Sequence, residues 1–190
     1  MFIQTEPTPN PETLKFLPGL AVLPSGTFDY RSLSEAGASP LAQSLFAIDG
    51  VSGVFLGHDF ISVSKGAVEW FHLKPLILGA IMEHFTQGLP VIVEALLPSR
   101  AETGDEAGAP LDGADGDVVA QITELLETRV RPVVAQDGGD IVFHRFEEGI
   151  VFLHMRGACA GCPSSTLTLK NGIERMLQHF VPEVTEVRAI

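Results

Sequence analysis

The 190-residue chain has little cysteine, little positive charge and no long hydrophobic run. It contains 12 lysines and arginines against 24 aspartates and glutamates, which gives a formal net charge of -12. Because no lysine or arginine cluster is present, the chain lacks the attraction that dominates binding to nucleic acids and anionic membranes, and neither is an expected partner. The longest apolar stretches, such as 75–82, are far shorter than the roughly 20 residues that span a bilayer, so we expect no transmembrane helix.

The two cysteines, Cys159 and Cys162, are three positions apart, and no other cysteine exists in the chain. A disulfide framework is therefore excluded, and a reducing compartment fits best. The first residues show neither the basic region and apolar run of a secretion signal nor an arginine-rich amphipathic transit helix. We therefore expect the protein to stay in the compartment in which it is made.

The composition changes sharply between residues 99 and 117, where six acidic residues and one arginine stand among glycines and alanines. Such a segment buries too little apolar surface to offset its ordering entropy, so it is predicted to be a flexible acidic linker. It would join a first domain over 1–98 to a second domain over 118–190. Strand and helix signals are mixed in both parts, which predicts two small α+β domains.

Local signals place the main elements. Ser39 and Pro40 predict an N-cap and first helical position, and Asp117 predicts the N-cap of a helix that ends before Pro132. The two glycines after Asp137 predict a turn with positive φ angles. The remaining expectations are a hairpin over 51–56 and 60–63, a helix over 74–87, a strand over 91–94, a hairpin over 141–146 and 150–156, a helix from 163 ended by Pro182, and a last strand over 184–190.

The segment from Cys159 to Pro163 reads Cys-Ala-Gly-Cys-Pro and is the most informative in the chain. Two thiols separated by two small residues can bind one metal ion. If Pro163 begins a helix, the positive end of its dipole would favour thiolates and lower the thiol pKa. The motif alone is compatible with a metal or iron-sulfur site, with dithiol redox chemistry, or with a merely structural pair.

The number of available thiols bears on this choice. A structural zinc ion or an iron-sulfur cluster usually needs four ligands, and one chain offers two cysteines. A symmetric dimer in which both loops meet at the two-fold axis would supply a four-cysteine site. Such a site would break whenever the subunits separate, which favours temporary carriage of a cluster.

Other candidates near the motif have simpler interpretations. His154 shares a strand face with Phe152 and Arg156 by alternation and is predicted to be a packed or surface histidine. Arg156 could bond a thiolate or cluster sulfide, or be solvated. Asp137 and Asp140 are predicted to flank a turn, with an acid and base pair as the minor alternative. No phosphate-binding loop, GxGxxG, HExxH or GxSxG motif is present, so hydrolase and dehydrogenase activities have no support.

Three segments of the second domain occur together in one known family: Arg131-Pro132, the run Asp137-Gly138-Gly139-Asp140, and residues 156–165, which read RGACAGCPSS. Through them the second domain resembles the NifU-like C-terminal domain. The first domain is similar to the N-terminal domain of Nfu proteins through the opening MFIQTEPTPNPETLKFLPG, the run SPLA at 39–42, FLGHDF at 55–60 and Lys74-Pro75.

This resemblance implies a scaffold or carrier, not an enzyme. It implies a [4Fe-4S] cluster shared between two subunits of a homodimer or higher even oligomer, with Cys159 and Cys162 as the ligands from each chain. Cluster assembly machinery would be the donor, and apo iron-sulfur proteins such as aconitase would be the recipients. The first domain would recognise either the recipients or the assembly partners. The expected location is the bacterial cytoplasm, or the mitochondrial matrix if the chain is a processed mature form. The alternatives are a thiol-disulfide oxidoreductase and a zinc-bridged interaction module.

Overall fold

A computed structural model of the protein describes residues 2–96, 114–160 and 163–190, although the side chains of 114–115 and 163–165 lie outside the description. The chain divides into two units, Met1–Thr103 and Gly104–Ile190, each with its own hydrophobic core. Each unit contains helices and a sheet, so the predicted α+β class is confirmed. Most of the predicted linker, 99–117, lies outside the described residues, and the boundaries 1–98 and 118–190 stay predictions.

The first unit is a five-stranded antiparallel sheet covered by two helices. The sheet order is β1-β2-β5-β4-β3, and its core packs the sheet against α1 and α2. The elements are β1 (Gln4–Pro7), β2 (Thr13–Leu17), β3 (Phe28–Tyr30), α1 (Pro40–Phe46), β4 (Val51–Leu56), β5 (Ile61–Lys65) and α2 (Trp70–Thr86), with short 3-10 turns at Glu35–Ala38 and Glu94–Leu96.

Several predictions for the first unit are confirmed and others are wrong. The Ser39 hydroxyl accepts the Ala42 N–H at 3.1 Å, which confirms the N-cap, and the β4–β5 hairpin is present. The helix expected over 74–87 starts earlier, at Trp70, and contains Pro75. The strand expected over 91–94 is wrong: residues 91–93 lie outside the sheet, where the Val93 N–H donates to the Ala38 carbonyl, and a 3-10 turn begins at Glu94.

The second unit is a three-stranded sheet packed on helices. The antiparallel pair β6 and β7 is followed by β8, which pairs parallel to β7 after the crossover helix α5. One face of the sheet joins the helices in the core, and strand alternation directs the other face away from it. The elements are α3 (Ala114–Leu125), a π-helical turn (Leu126–Val130), α4 (Arg131–Gln136), β6 (Gly139–Glu147), β7 (Ile150–Gly157), α5 (Pro163–Phe180) and β8 (Glu186–Ala189).

The start of the second unit differs from the prediction. The first helix begins at Ala114, so Asp117 lies inside it and is not an N-cap. Helical structure also continues past Pro132, which occupies the first turn of α4, where a missing N–H costs no hydrogen bond. Within the described residues, no helix is both long and apolar enough to cross a membrane.

Candidate functional site: the cysteine loop of the second unit

The loop that carries Cys159 leaves the end of β7 and is held by short backbone bonds. The Ala158 N–H donates to the Gly138 carbonyl at 3.1 Å, and the Cys159 N–H donates to the Arg156 carbonyl at 3.3 Å. The Thr166 hydroxyl, in the first turns of α5, donates to the Cys159 carbonyl at 3.0 Å. The loop is therefore tied to the turn before β6, to β7 and to α5.

Two glycines let the loop fold against β6, each for a different reason. Gly138 has a φ of +78°, as the predicted turn requires. Gly139 instead leaves room for the loop: a Cβ there would lie 2.9 Å from the Arg156 oxygen, 2.9 Å from the Cys159 nitrogen and closer still to the Cys159 sulfur. Gly139 thus forms the surface on which Cys159 rests.

Cys159 is a free thiol with only 5% of its surface exposed, and it belongs to the hydrophobic core of the unit. Burial, followed by the negative charges of Asp137 and Asp140, raises its pKa to about 12. The expectation that the helix terminus lowers the thiol pKa is therefore wrong for Cys159. Removal from water outweighs a helix-end effect of about 0.3–1 kcal/mol.

The Asp140 carboxylate beside this loop is almost fully buried and is bound by one guanidinium. Arg131 Nε and Nη2 each lie 2.8 Å from an Asp140 oxygen, and the Ile141 N–H donates to the same carboxylate at 2.8 Å. Arg131 also contacts Glu127 at 2.8 Å, and these partners raise its pKa. A carboxylate held in this way is not a free acid or base, which supports the predicted turn and not the catalytic alternative.

His154 and Arg156 occupy the sheet face that points away from the core, as their alternation predicted. Both are half-buried, and the His154 ring lies edge-on to that of His144, with 4.8 Å between ring centroids. Arg156 pairs with Asp140 in the strand register, and its carbonyl accepts the Cys159 N–H. The choice between a thiolate-bonding and a solvated Arg156 stays open.

Cys162, the second predicted ligand, lies outside the described residues. Among the residues that are described, no group of three or more His, Cys, Asp or Glu side chains is arranged to hold a metal ion. The ligand assignment of Cys159 and Cys162 therefore stays a prediction. The roles of Gly139 as a packing surface and of the Arg131–Asp140 pair were missed, although both fall in motifs that the sequence displays.

Comparisons with known proteins agree with the division into two units. Residues 3–88 match the family described as "Scaffold protein Nfu/NifU N terminal", and residues 122–188 match the "NifU-like domain". The chain is 50% identical over 192 residues to the human "NFU1 iron-sulfur cluster scaffold homolog, mitochondrial", of which it covers 72%. It is 48% identical to the protein of that name from Drosophila willistoni, of which it covers 64%. Both alignments include the whole of this chain.

A solved structure matches about half of the chain. The solution structure of the NifU-like protein from Saccharomyces cerevisiae is 30% identical and covers 50% of this chain and 86% of its own, with a TM-score of 0.45.

The fold and the two matched domains define a two-domain protein of the Nfu and NifU class. The identity of about half of the residues over the whole of this chain then shows that it belongs to the NFU1 iron-sulfur cluster scaffold family. The chain spans less than two thirds of the length of the Drosophila relatives it matches. The relatives are named mitochondrial, in agreement with the second of the two predicted compartments, while the first, the bacterial cytoplasm, receives no support from them.

Proposed function

We propose that this chain is an iron-sulfur cluster scaffold or carrier that holds a [4Fe-4S] cluster between two subunits and transfers it to apo-proteins. The observation that carries the proposal is the match, over the whole chain, to scaffold relatives that are about half identical to it. Cys159 and Cys162 of each chain would supply the four thiolate ligands, since no other cysteine exists in the sequence.

The state of Cys159 supports a carrier that releases its cargo. In the described conformation the Cys159 thiol is neutral and packed in the core, because burial raises its pKa to about 12. Ligation of iron requires the thiolate, so cluster binding must displace a proton and turn the sulfur toward the cluster. When a recipient thiolate replaces Cys159 at the iron, Cys159 regains its proton and its buried site. Release would then be accompanied by reprotonation and reburial of Cys159.

The same observation disfavours Cys159 as the attacking thiol in the thiol-disulfide oxidoreductase alternative, which allowed either cysteine in that role. A reactive redox cysteine has a lowered pKa and an accessible sulfur, whereas the Cys159 thiol is buried and its pKa is raised. The zinc-bridged module is chemically compatible with a thiolate site and differs in its spectrum, because zinc is colourless and an iron-sulfur cluster absorbs in the visible.

Transfer to a recipient tests the proposal. The full chain would be reconstituted anaerobically with iron and sulfide, mixed with apo-aconitase, and followed by the gain of aconitase activity and by the loss of visible absorption from the donor. We expect stoichiometric transfer from the wild-type protein and none from Cys159→Ala or Cys162→Ala, which should not retain a cluster.

Met155→Leu is a matched control for loss of a buried sulfur near the loop, because Met155 is 5% exposed on β7. It should load and transfer like the wild type. A cysteine variant that still holds a full cluster, or a loaded wild type that activates no recipient, would overturn the proposal. Circular dichroism of each variant separates loss of ligands from loss of fold.

A further inference from the structure

The open face of the second-unit sheet brings two histidines from neighbouring strands together. His154 lies on β7 opposite Val142 of β6, and the β6–β7 register shifts between Phe143 and Arg145. His144 is the extra residue at this bulge, so its ring reaches the His154 ring diagonally across the strand pair. Both side chains are half-buried.

The ring separation matches that of two imidazoles on one metal ion. A metal–nitrogen bond of about 2.0–2.1 Å places the ion roughly 3.2 Å from each ring centre. For angles at the ion of about 90–110°, the two centres are then roughly 4.5–5.2 Å apart. The observed distance between the His144 and His154 centroids is 4.8 Å, with 68° between the ring planes.

Two arginines lie near the pair: Arg156 shares the sheet face of His154, and Arg145 follows His144. Arg145 stacks over the Phe152 ring at 4.4 Å and lies 3.6 Å from Glu147, so its charge is partly balanced and is held by other groups. The strands fix both histidine backbones, which lowers the entropy lost when two ligands bind one ion. Within the described residues no third His, Cys, Asp or Glu completes the group.

We propose that His144 and His154 form a two-histidine site for one divalent transition-metal ion of the kind that imidazole binds, such as Ni²⁺ or Zn²⁺. The pair lies on the two strands before the cysteine loop: His154 is on β7, five residues before Cys159, and His144 is on β6. Binding there does not depend on whether the protein carries an iron-sulfur cluster.

Titration of the full-length apo-protein with Ni²⁺ tests this site. Calorimetry would give the affinity, and broadening of histidine ring signals in NMR spectra would identify the ligands. We expect one ion per chain that broadens the His144 and His154 rings first. His144→Gln and His154→Gln, made separately, should each weaken binding by about tenfold or more, because one imidazole loses the chelate advantage.

His72→Gln is the matched control, because His72 is an exposed histidine that also contacts an aromatic ring, that of Phe71. It should leave the affinity unchanged. Two results would overturn the proposal: Ni²⁺ binding that neither His144→Gln nor His154→Gln weakens, and binding that disappears in Cys159→Ala while the histidine signals stay sharp. The cluster content of His144→Gln and His154→Gln after anaerobic reconstitution distinguishes failure of the two-histidine site from failure of the carrier assignment.

Discussion

Replacing Gly139 by alanine tests whether close packing of Cys159 on β6 supports the cluster loop. The added Cβ would lie 2.9 Å from both the Arg156 oxygen and the Cys159 nitrogen, where ordinary contacts begin near 3.4 Å. Both contacts are backbone atoms, which cannot rotate away as a flexible side chain could. The loop must therefore move by roughly half an ångström, and overpacking of this kind typically costs about 1–3 kcal/mol.

A second glycine in the same unit provides the control. Gly172 lies on α5 with nothing within 4 Å of an added Cβ, so Gly172→Ala should stabilise the helix by about 0.5–1 kcal/mol. The same chemical change is thus expected to have opposite signs at Gly139 and Gly172. Urea denaturation of the full chain, followed by circular dichroism, measures both free energies.

The functional readout is the cluster content after anaerobic reconstitution. Gly139→Ala should lower it and shift the amide signals of Ala158 to Ala160, because the loop that presents Cys159 is displaced. Gly172→Ala should load like the wild type. If Gly139→Ala were as stable as the wild type and left the Cys159 amide signal in place, the packing argument would be refuted.

Three further perturbations have expected outcomes. Arg131→Met leaves the buried Asp140 carboxylate without its guanidinium partner, while the Ile141 N–H still donates to it. The change should lower the free energy of unfolding, measured by urea denaturation, by about 3 kcal/mol, which is the lower end of the usual range because the Arg131 side chain is 30% exposed. Combining it with Asp140→Leu should restore most of the loss. Burial lowers the pKa of His84 and outweighs the opposing effect of the Leu89 backbone. The unfolded chain therefore takes up a proton that the folded one resists, so the first unit should lose stability as the pH falls below about 6.5. His84→Met should flatten that dependence, measured by the fluorescence of Trp70, the sole tryptophan. Cys159, with a pKa of about 12, should react with iodoacetamide at pH 8 at least about a hundredfold more slowly than a free cysteine, because little of it is thiolate. Peptide mass spectrometry measures the rate of this reaction. A rate like that of an exposed thiol would contradict the burial of Cys159.

Elements defined by neighbouring residues were predictable from the sequence. The Ser39 cap, the β4–β5 hairpin and α5 depend on signals within a few positions, and all three are present. The strands near the N-terminus depend on distant partners. β2 pairs with β5 about fifty residues further along, and it buries Lys15, whose charge is met by Glu6 at 3.3 Å and by the Phe60 ring at 5.1 Å. Strands that depend on such distant partners are not predicted by the local pattern of apolar residues.

The chemistry of the cysteine loop was predictable from the sequence, but the burial and the raised pKa of Cys159 were not. The spacing of the cysteines and the glycines around them identified the loop, and the helix that follows it was correctly placed. The direction of the Cys159 pKa was wrong, because core packing is set by β6 and by the helices on the same sheet face. The Arg131–Asp140 pair explains why a charged residue can lie almost fully buried beside the loop.

Native mass spectrometry of the anaerobically reconstituted protein tests the central claim most directly. The account predicts a holo-protein of two chains with four iron and four sulfide, which separates into apo-monomers when the cluster is lost. A colourless monomer that forms a reversible disulfide between Cys159 and Cys162, or a dimer that contains zinc alone, would contradict it.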